Sequence, residues 1–156
     1  MLNNSSEISA PLADQVACRI RLKKAREAAR KEPQDLAEFV GNSKANYYDL
    51  EEHNGELYST ISLSELSALA SALGVKVGEL FEGRKNGGAA ISPEELMSKV
   101  RDYLSVTGLS VEEFEDRVGC VIAPALQDSS KVLDWNVDFL RWVCTEIDID
   151  WHLALP

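Results

Sequence analysis

The chain has 156 residues, 45% hydrophobic and 27% charged, which is enough apolar material for one folded domain or two small ones and too much for disorder throughout. No uninterrupted apolar run approaches the ~18 residues of a membrane helix, and the start, MLNNSSEISAPLADQ, lacks the basic region and apolar core of a signal peptide, so the expected location is the cytoplasm with no membrane partner. The formal net charge of -10 taken alone argues against nucleic acid, because phosphate neutralisation needs clustered Lys and Arg.

Distribution matters more than the sum. Residues 1–86 hold 11 Lys/Arg against 13 Asp/Glu, net -2, while residues 87–156 hold 5 against 13, net -8. Most of the excess acid is therefore in the second half. The three cysteines, Cys18, Cys120 and Cys144, are odd in number and far apart, the pattern of buried reduced thiols and not of a disulfide framework. His53 and His152 are the only histidines, and neither lies in a cluster with zinc-ligand spacing, so no metal or cofactor is expected.

In chain order, residues 1–13 carry no periodicity and read as a mobile leader. From about Asp14 to Lys31 the apolar positions Cys18, Leu22, Ala25 and Ala29 recur at helical spacing. The other faces carry Arg19, Arg21, Lys23, Lys24, Arg26, Arg30 and Lys31 against a single Glu27. This basic amphipathic helix is either a solvated face or a surface for a phosphate backbone.

Pro33 suits the first turn of a new helix and stops the one before it, predicting a helix over about 33–39. Gly41 breaks that helix, and Ser43 is a good N-cap for another over about 44–52. Ala37, four residues before Gly41, puts a small residue where the two helices cross. Leu36, Val40, Tyr47 and Leu50 then face inward, and Lys44, Ala45, Asn46, Tyr48 and Asp49 form an outer face. Two short helices meeting across a sharp turn have the spacing of a DNA-reading unit. A loop runs from His53 to Ser62, where Ser62 and Glu65 have capping-box spacing. Leu63, Leu66, Leu69, Ala70 and Leu73 make the next apolar stripe, closed by Gly74, and a short turn over Lys76–Phe81 adds Val77, Leu80 and Phe81 to the core.

The pieces RLKKAREA, LAEFVGNSKANYYDLE and LSALASALGVKVGELF, in this order from Arg19 to Phe81, resemble the Cro/phage-repressor (XRE) type of helix-turn-helix domain. The resemblance implies a structural ion pair between Arg26 of the first helix and Glu51 at the end of the recognition helix. It also implies a DNA-contacting set drawn from Gln34, Asn42, Ser43, Lys44, Ala45, Asn46, Tyr48 and Asp49. The chain departs from the family in having Pro33 where Gln is common, with Gln34 next to it, and in lacking glycine in the turn ARKEP. Asp49 stands where the family often places a base-reading side chain; a carboxylate there either accepts from cytosine N4 or repels phosphate.

Gly83, Gly87 and Gly88 in GRKNGGAAIS read as a linker over 84–92. Ser92-Pro93-Glu94-Glu95 starts a helix over about 93–107 that faces its core with Leu96, Val100, Tyr103 and Leu104. A weak internal repeat follows: PQDLAEFVG (33–41) parallels VEEFEDRVG (111–119), and residues 65–81 parallel 138–155. At the 78-residue offset of the first of these pairs Leu104 replaces Arg26, Ser129 replaces Glu51 and Glu115 replaces Ala37. The segment CVIAPALQD (120–128) is too apolar to read base edges, so Val121, Ile122 and Leu126 are core or interface. Trp142 joins Phe139, Val143 and Ile147 in a helical stripe, while Trp135 and Trp151 are split between core and interface.

The expected architecture is all-α: a five-helix repressor-like DNA-binding domain over 14–83, then a second small helical domain over 93–156 that is acidic and serves self-association or partner binding. The chain has no nucleophile elbow, phosphate-binding glycine loop or paired His and Cys, and an enzyme is not expected. The expected function is a sequence-specific DNA-binding transcriptional regulator, a repressor by type, acting as a homodimer on double-stranded DNA. The alternative is a protein-interaction module, such as an antitoxin or anti-repressor, that keeps the fold with little DNA contact.

Overall fold

The computed structural model of the chain describes residues 9–81 and 88–156. They are all-α, with no strand among the described residues. Helix α1 (Leu12–Ala28) starts two residues earlier than its periodicity predicts and stops three earlier. Arg30 takes a left-handed φ of 55°, and the Lys31 N–H returns to the Arg26 carbonyl at 3.2 Å. This reversal, followed by Pro33, ends the helix. At the other end Ala10 is buried and its carbonyl accepts from Gln15 Nε2 at 2.7 Å. The expected leader therefore gives way to structure before Asp14, and its first eight residues lie outside the described ones.

Pro33–Phe39 winds as a 3-10 helix, with Pro33 and Leu36 buried. Helix α2 (Lys44–Glu52) follows, its Ser43 cap accepting from the Asn46 N–H. The stretch expected as a plain loop holds one helical turn, α3 (Glu56–Ser59), because Gly55 at φ 87° turns the chain so that Leu57 and Tyr58 are buried. In α4 (Leu63–Leu73), Ser62 and Glu65 form the reciprocal capping box, Leu63, Leu66, Leu69, Ala70 and Leu73 are buried, and Gly74 closes the helix at φ 70°. α5 (Val77–Leu80) adds Val77 and Leu80, with Phe81 buried after it.

In the second half α6 (Pro93–Thr107) buries Leu96, Met97 and Val100; Tyr103 and Leu104 are half-buried. α7 (Val111–Val118) ends at Gly119 with φ 76°. After it come α8 (Ala123–Gln127), a 3-10 turn (Ser129–Asp134), α9 (Val137–Glu146) and a last 3-10 turn (Trp151–Ala154). Ile122 is fully buried, whereas Val121 is 63% exposed. Among the tryptophans Trp135 is buried, stacked on Phe139 with centroids 4.1 Å apart, while Trp142 and Trp151 are half-buried against the same core.

That core is continuous across both halves. The Leu63 N–H donates to the Trp135 carbonyl at 2.8 Å, and Asn136 Nδ2 donates to the Ser59 carbonyl at 3.0 Å. Trp151 packs edge-on against Tyr58 and Phe81, at 6.3 and 5.7 Å between centroids. The Arg141 guanidinium lies over both Tyr58 and Trp151, at 5.9 and 6.0 Å. Of the expected linker, residues 84–87 lie outside the described ones, but Ile91 is held, its N–H bonded to the Leu153 carbonyl at 2.8 Å.

Candidate nucleic-acid interface

The turn between the Pro33–Phe39 helix and α2 is built from two successive left-handed residues, Gly41 at φ 74° and Asn42 at φ 56°. This conformation costs a side-chain-bearing residue energy, and Gly and Asn tolerate it best. Leu36, Val40, Tyr47 and Leu50 are buried beneath the turn. Ala37 is half-buried, and the two helices pack directly on each other.

Helix α2 is anchored from below by a charged network. Arg26 of α1 contacts both carboxylate oxygens of Glu51, at 2.6 and 3.1 Å; Glu51 is only 4% exposed. Tyr47 Oη donates to the same carboxylate at 2.8 Å. Arg26 also donates to the Lys31 carbonyl at 3.0 Å, tying the network to the end of α1. A buried carboxylate is tolerable when its lone pairs are filled in this way. The hydrogen bond to Glu51 holds Arg26 more firmly protonated than usual. Burial, reinforced by the bond to Glu51, pushes the Tyr47 phenol well above its ordinary range.

With its inner side fixed, α2 turns Lys44, Ala45, Asn46, Tyr48 and Asp49 to the outside; Gln34 and Asn42 are also exposed, and Ser43 is half-buried. Lys44 Nζ sits 5.6 Å over the Tyr48 ring. Two of these side chains are committed to the protein's own backbone: Ser43 Oγ accepts from the Asn46 N–H at 3.2 Å, and Asn46 Nδ2 donates to the Val40 carbonyl at 3.2 Å.

The basic helix divides its charges. Besides Arg26, Arg19 also turns toward the end of α2, donating to Asn54 Oδ1 at 2.7 Å and to the Glu51 carbonyl at 3.3 Å. Lys23, Lys24 and Arg30 remain exposed, with Arg21 and Lys31 half-buried. The face open to a phosphate backbone is therefore narrower than the residue count of the helix suggests.

Three features of this surface are additional to those expected from the sequence. Glu52 is exposed and shares the outer face of α2, so that face carries two carboxylates. His53 Nε2 lies 3.5 Å from Asp49 Oδ1, one turn away, with both side chains well exposed; the i, i+4 spacing was a readable signal. The Asn46–Val40 bond had no signal, because it depends on the turn's backbone geometry.

A solvent-facing helix, braced from behind by an ion pair and joined by a left-handed turn to a helix packed across it, defines a helix-turn-helix unit. Residues 21–84 match the family model described as Cro/C1-type HTH DNA-binding domain, and this part of the chain is a DNA-binding domain of that type. The match ends before α6, so the second half lies outside it. No curated protein and no solved structure matches the chain. Among the described residues no helix is long and apolar enough to cross a membrane.

Proposed function

We propose that the protein is a sequence-specific transcriptional regulator, a repressor, that binds operator DNA as a homodimer by laying α2 in the major groove. The observation that carries this reading is the combination of a rigidly braced α2 with an outward face of Lys44, Ala45, Tyr48 and Asp49 inside a domain of the Cro/C1 type. Gln34 lies in the first turn of the unit, and Asn42 and Ser43 lie in the turn that leads into α2, places where backbone contacts position such a helix before side chains read bases. Lys23, Lys24 and Arg30 add electrostatic affinity. Two copies are needed because one short helix reads only a few base pairs.

The second half, over 93–156, is proposed as a degenerate copy of the same unit devoted to self-association or partner binding. In its favour, α7, a left-handed Gly119 and α8 repeat the order helix, left-handed glycine, helix. Val106 and Val121, 88% and 63% exposed, are the large apolar side chains it leaves open to solvent, and its acid makes it a poor phosphate surface.

Selection of bound duplexes from a random library by the full chain tests the reading. The expected result is an enriched pseudo-palindrome whose half-sites are about one helical turn, 10–10.5 base pairs, or a multiple of it apart. An unenriched pool would contradict it and favour the protein-interaction module.

A further inference from the structure

Asn46 lies in the segment proposed to face DNA and is exposed, yet its amide is held by the protein's own backbone. Its Nδ2 donates to the Val40 carbonyl across the turn at 3.2 Å. Val40 is the residue at which the 3-10 helix ends, at φ -135° and ψ 52°, and a carbonyl at a helix end has no intrahelical donor of its own. A Cβ placed on Gly41 would meet Asn46 Nδ2 at 3.5 Å, so the side chain lies over the turn. Helical geometry agrees: at about 100° per residue, Lys44, Tyr48, Glu52, Ala45 and Asp49 fall within an arc of roughly 140°, and Asn46 lies about 60° beyond Asp49, toward buried Leu50.

We infer that Asn46 is a positioning residue that locks the turn between the two helices, and that base readout falls to Lys44, Ala45, Tyr48 and Asp49. The inference rests on the DNA-reading function proposed above. Its chemical consequence is specific. A free Asn on a recognition helix would pair with adenine through N6 and N7. With one Nδ2 hydrogen held by Val40 and the amide fixed over the turn, off the outward arc, α2 offers a Lys44 donor suited to guanine O6 and N7, an Asp49 acceptor suited to cytosine N4 and an Ala45 methyl suited to the thymine methyl. The groove face that α2 reads is thus expected to be specified by G·C pairs and thymine methyl groups, without an adenine contact from Asn46.

The test compares thermal melting and random-library selection for the full-length wild type, Asn46→Asp, Asn46→Ala, Lys44→Ala and Asp49→Ala. Asn46→Asp keeps the shape but sets an acceptor against the Val40 carbonyl, and it is expected to lower Tm by about 2–4 °C, the shift of one lost hydrogen bond in a chain of this size. Asn46→Ala is expected to lower Tm less, because Ala has the better helix propensity. Both should retain the wild-type consensus while weakening all duplexes alike, by roughly three- to tenfold. Lys44→Ala and Asp49→Ala should leave Tm nearly unchanged and relax the consensus at one position each. A one-position change of consensus in Asn46→Asp, from adenine to cytosine with unchanged Tm, would overturn the inference. If the wild type selects no duplex, the DNA reading and the assignment of base readout fail together. The turn lock is judged separately by Tm, and an Asn46→Asp protein that melts like wild type refutes it whatever the DNA result.

Discussion

Arg26 grips Glu51 through two nitrogens, Nε at 2.6 Å from one carboxylate oxygen and Nη2 at 3.1 Å from the other. The contact joins the last turn of the basic α1 to the C-terminal turn of α2, and Tyr47 closes it from the side. Because Glu51 is almost wholly removed from water, its charge depends on these partners. Removing Arg26 alone leaves an unpaired buried carboxylate, for which a loss of roughly 3–5 kcal/mol is expected. Denaturant unfolding of Arg26→Ala measures it. In Arg26→Ala combined with Glu51→Ala the loss should be well below the sum of the two single losses.

Tyr47 makes the same network sensitive to high pH. Its phenol is raised in the folded protein, first by burial and then by its bond to Glu51, while an unfolded tyrosine titrates near pH ~10. A group whose folded pKa lies above its unfolded one gives its full stabilisation below the unfolded value. That stabilisation is lost as pH rises from about 10 toward the folded value. Stability should therefore fall above pH ~10, and Tyr47→Phe should lose less over that range while costing about 1 kcal/mol at neutral pH. Tyr58, also raised by burial, keeps part of the alkaline loss in the variant. Unfolding free energies measured across pH 8–11 for both proteins check the sign.

The continuous core has its own consequence for unfolding. Trp151 contacts Tyr58 and Phe81 of the DNA-binding unit, and Trp135 and Asn136 hydrogen-bond to Leu63 and Ser59. Tryptophan fluorescence, which reports residues 135, 142 and 151, and far-UV circular dichroism, which reports all helices, should give one coincident transition. Trp151→Ala should move both probes together, with a loss of about 2 kcal/mol or more. Two separated transitions in the wild type would show that the halves unfold independently.

Thiol chemistry should follow burial. Cys18 and Cys144 are buried and Cys120 is half-buried. Desolvation raises all three thiols, that of Cys120 to about 12 with Glu115 adding to the effect. At pH 8 a disulfide-exchange reagent should label Cys120 more slowly than a free thiol and leave Cys18 and Cys144 unlabelled until the chain is unfolded. Rapid labelling of Cys18 in the native protein would contradict the packing of α1.

Much of the reading unit was legible from residues that punctuate the chain. Pro33, Gly41 and Ser43 each have a strong local reason to sit at a helix start, a left-handed turn and a cap, and they bound the two helices at the places the structure shows. The direction of individual side chains was not legible. Arg19 looks like any other cation of α1 in the sequence, and only the approach of α2 turns it inward; the pairing of Arg26 with Glu51 was legible through the family resemblance and not from the pattern of the helix itself. Asn46 looks like a base reader until the Val40 carbonyl is placed beside it. The joint between the halves was hidden for a different reason. Ser59 and Asn136 meet across 77 residues, and no helical or strand period records a contact of that kind. Glycines read as a linker likewise gave no sign that Ile91, just beyond them, is fastened to Leu153.

Binding to a selected operator and to random duplex across salt concentrations decides whether this chain grips a duplex through phosphates and reads it with α2. Even non-specific phosphate contact gives a logarithmic fall of affinity with salt. The expected result is tight binding near ~50 mM salt that drops steeply by ~200 mM, with the operator retained at salt concentrations that release random DNA. A flat response, or no binding of either duplex near ~50 mM salt, would contradict it.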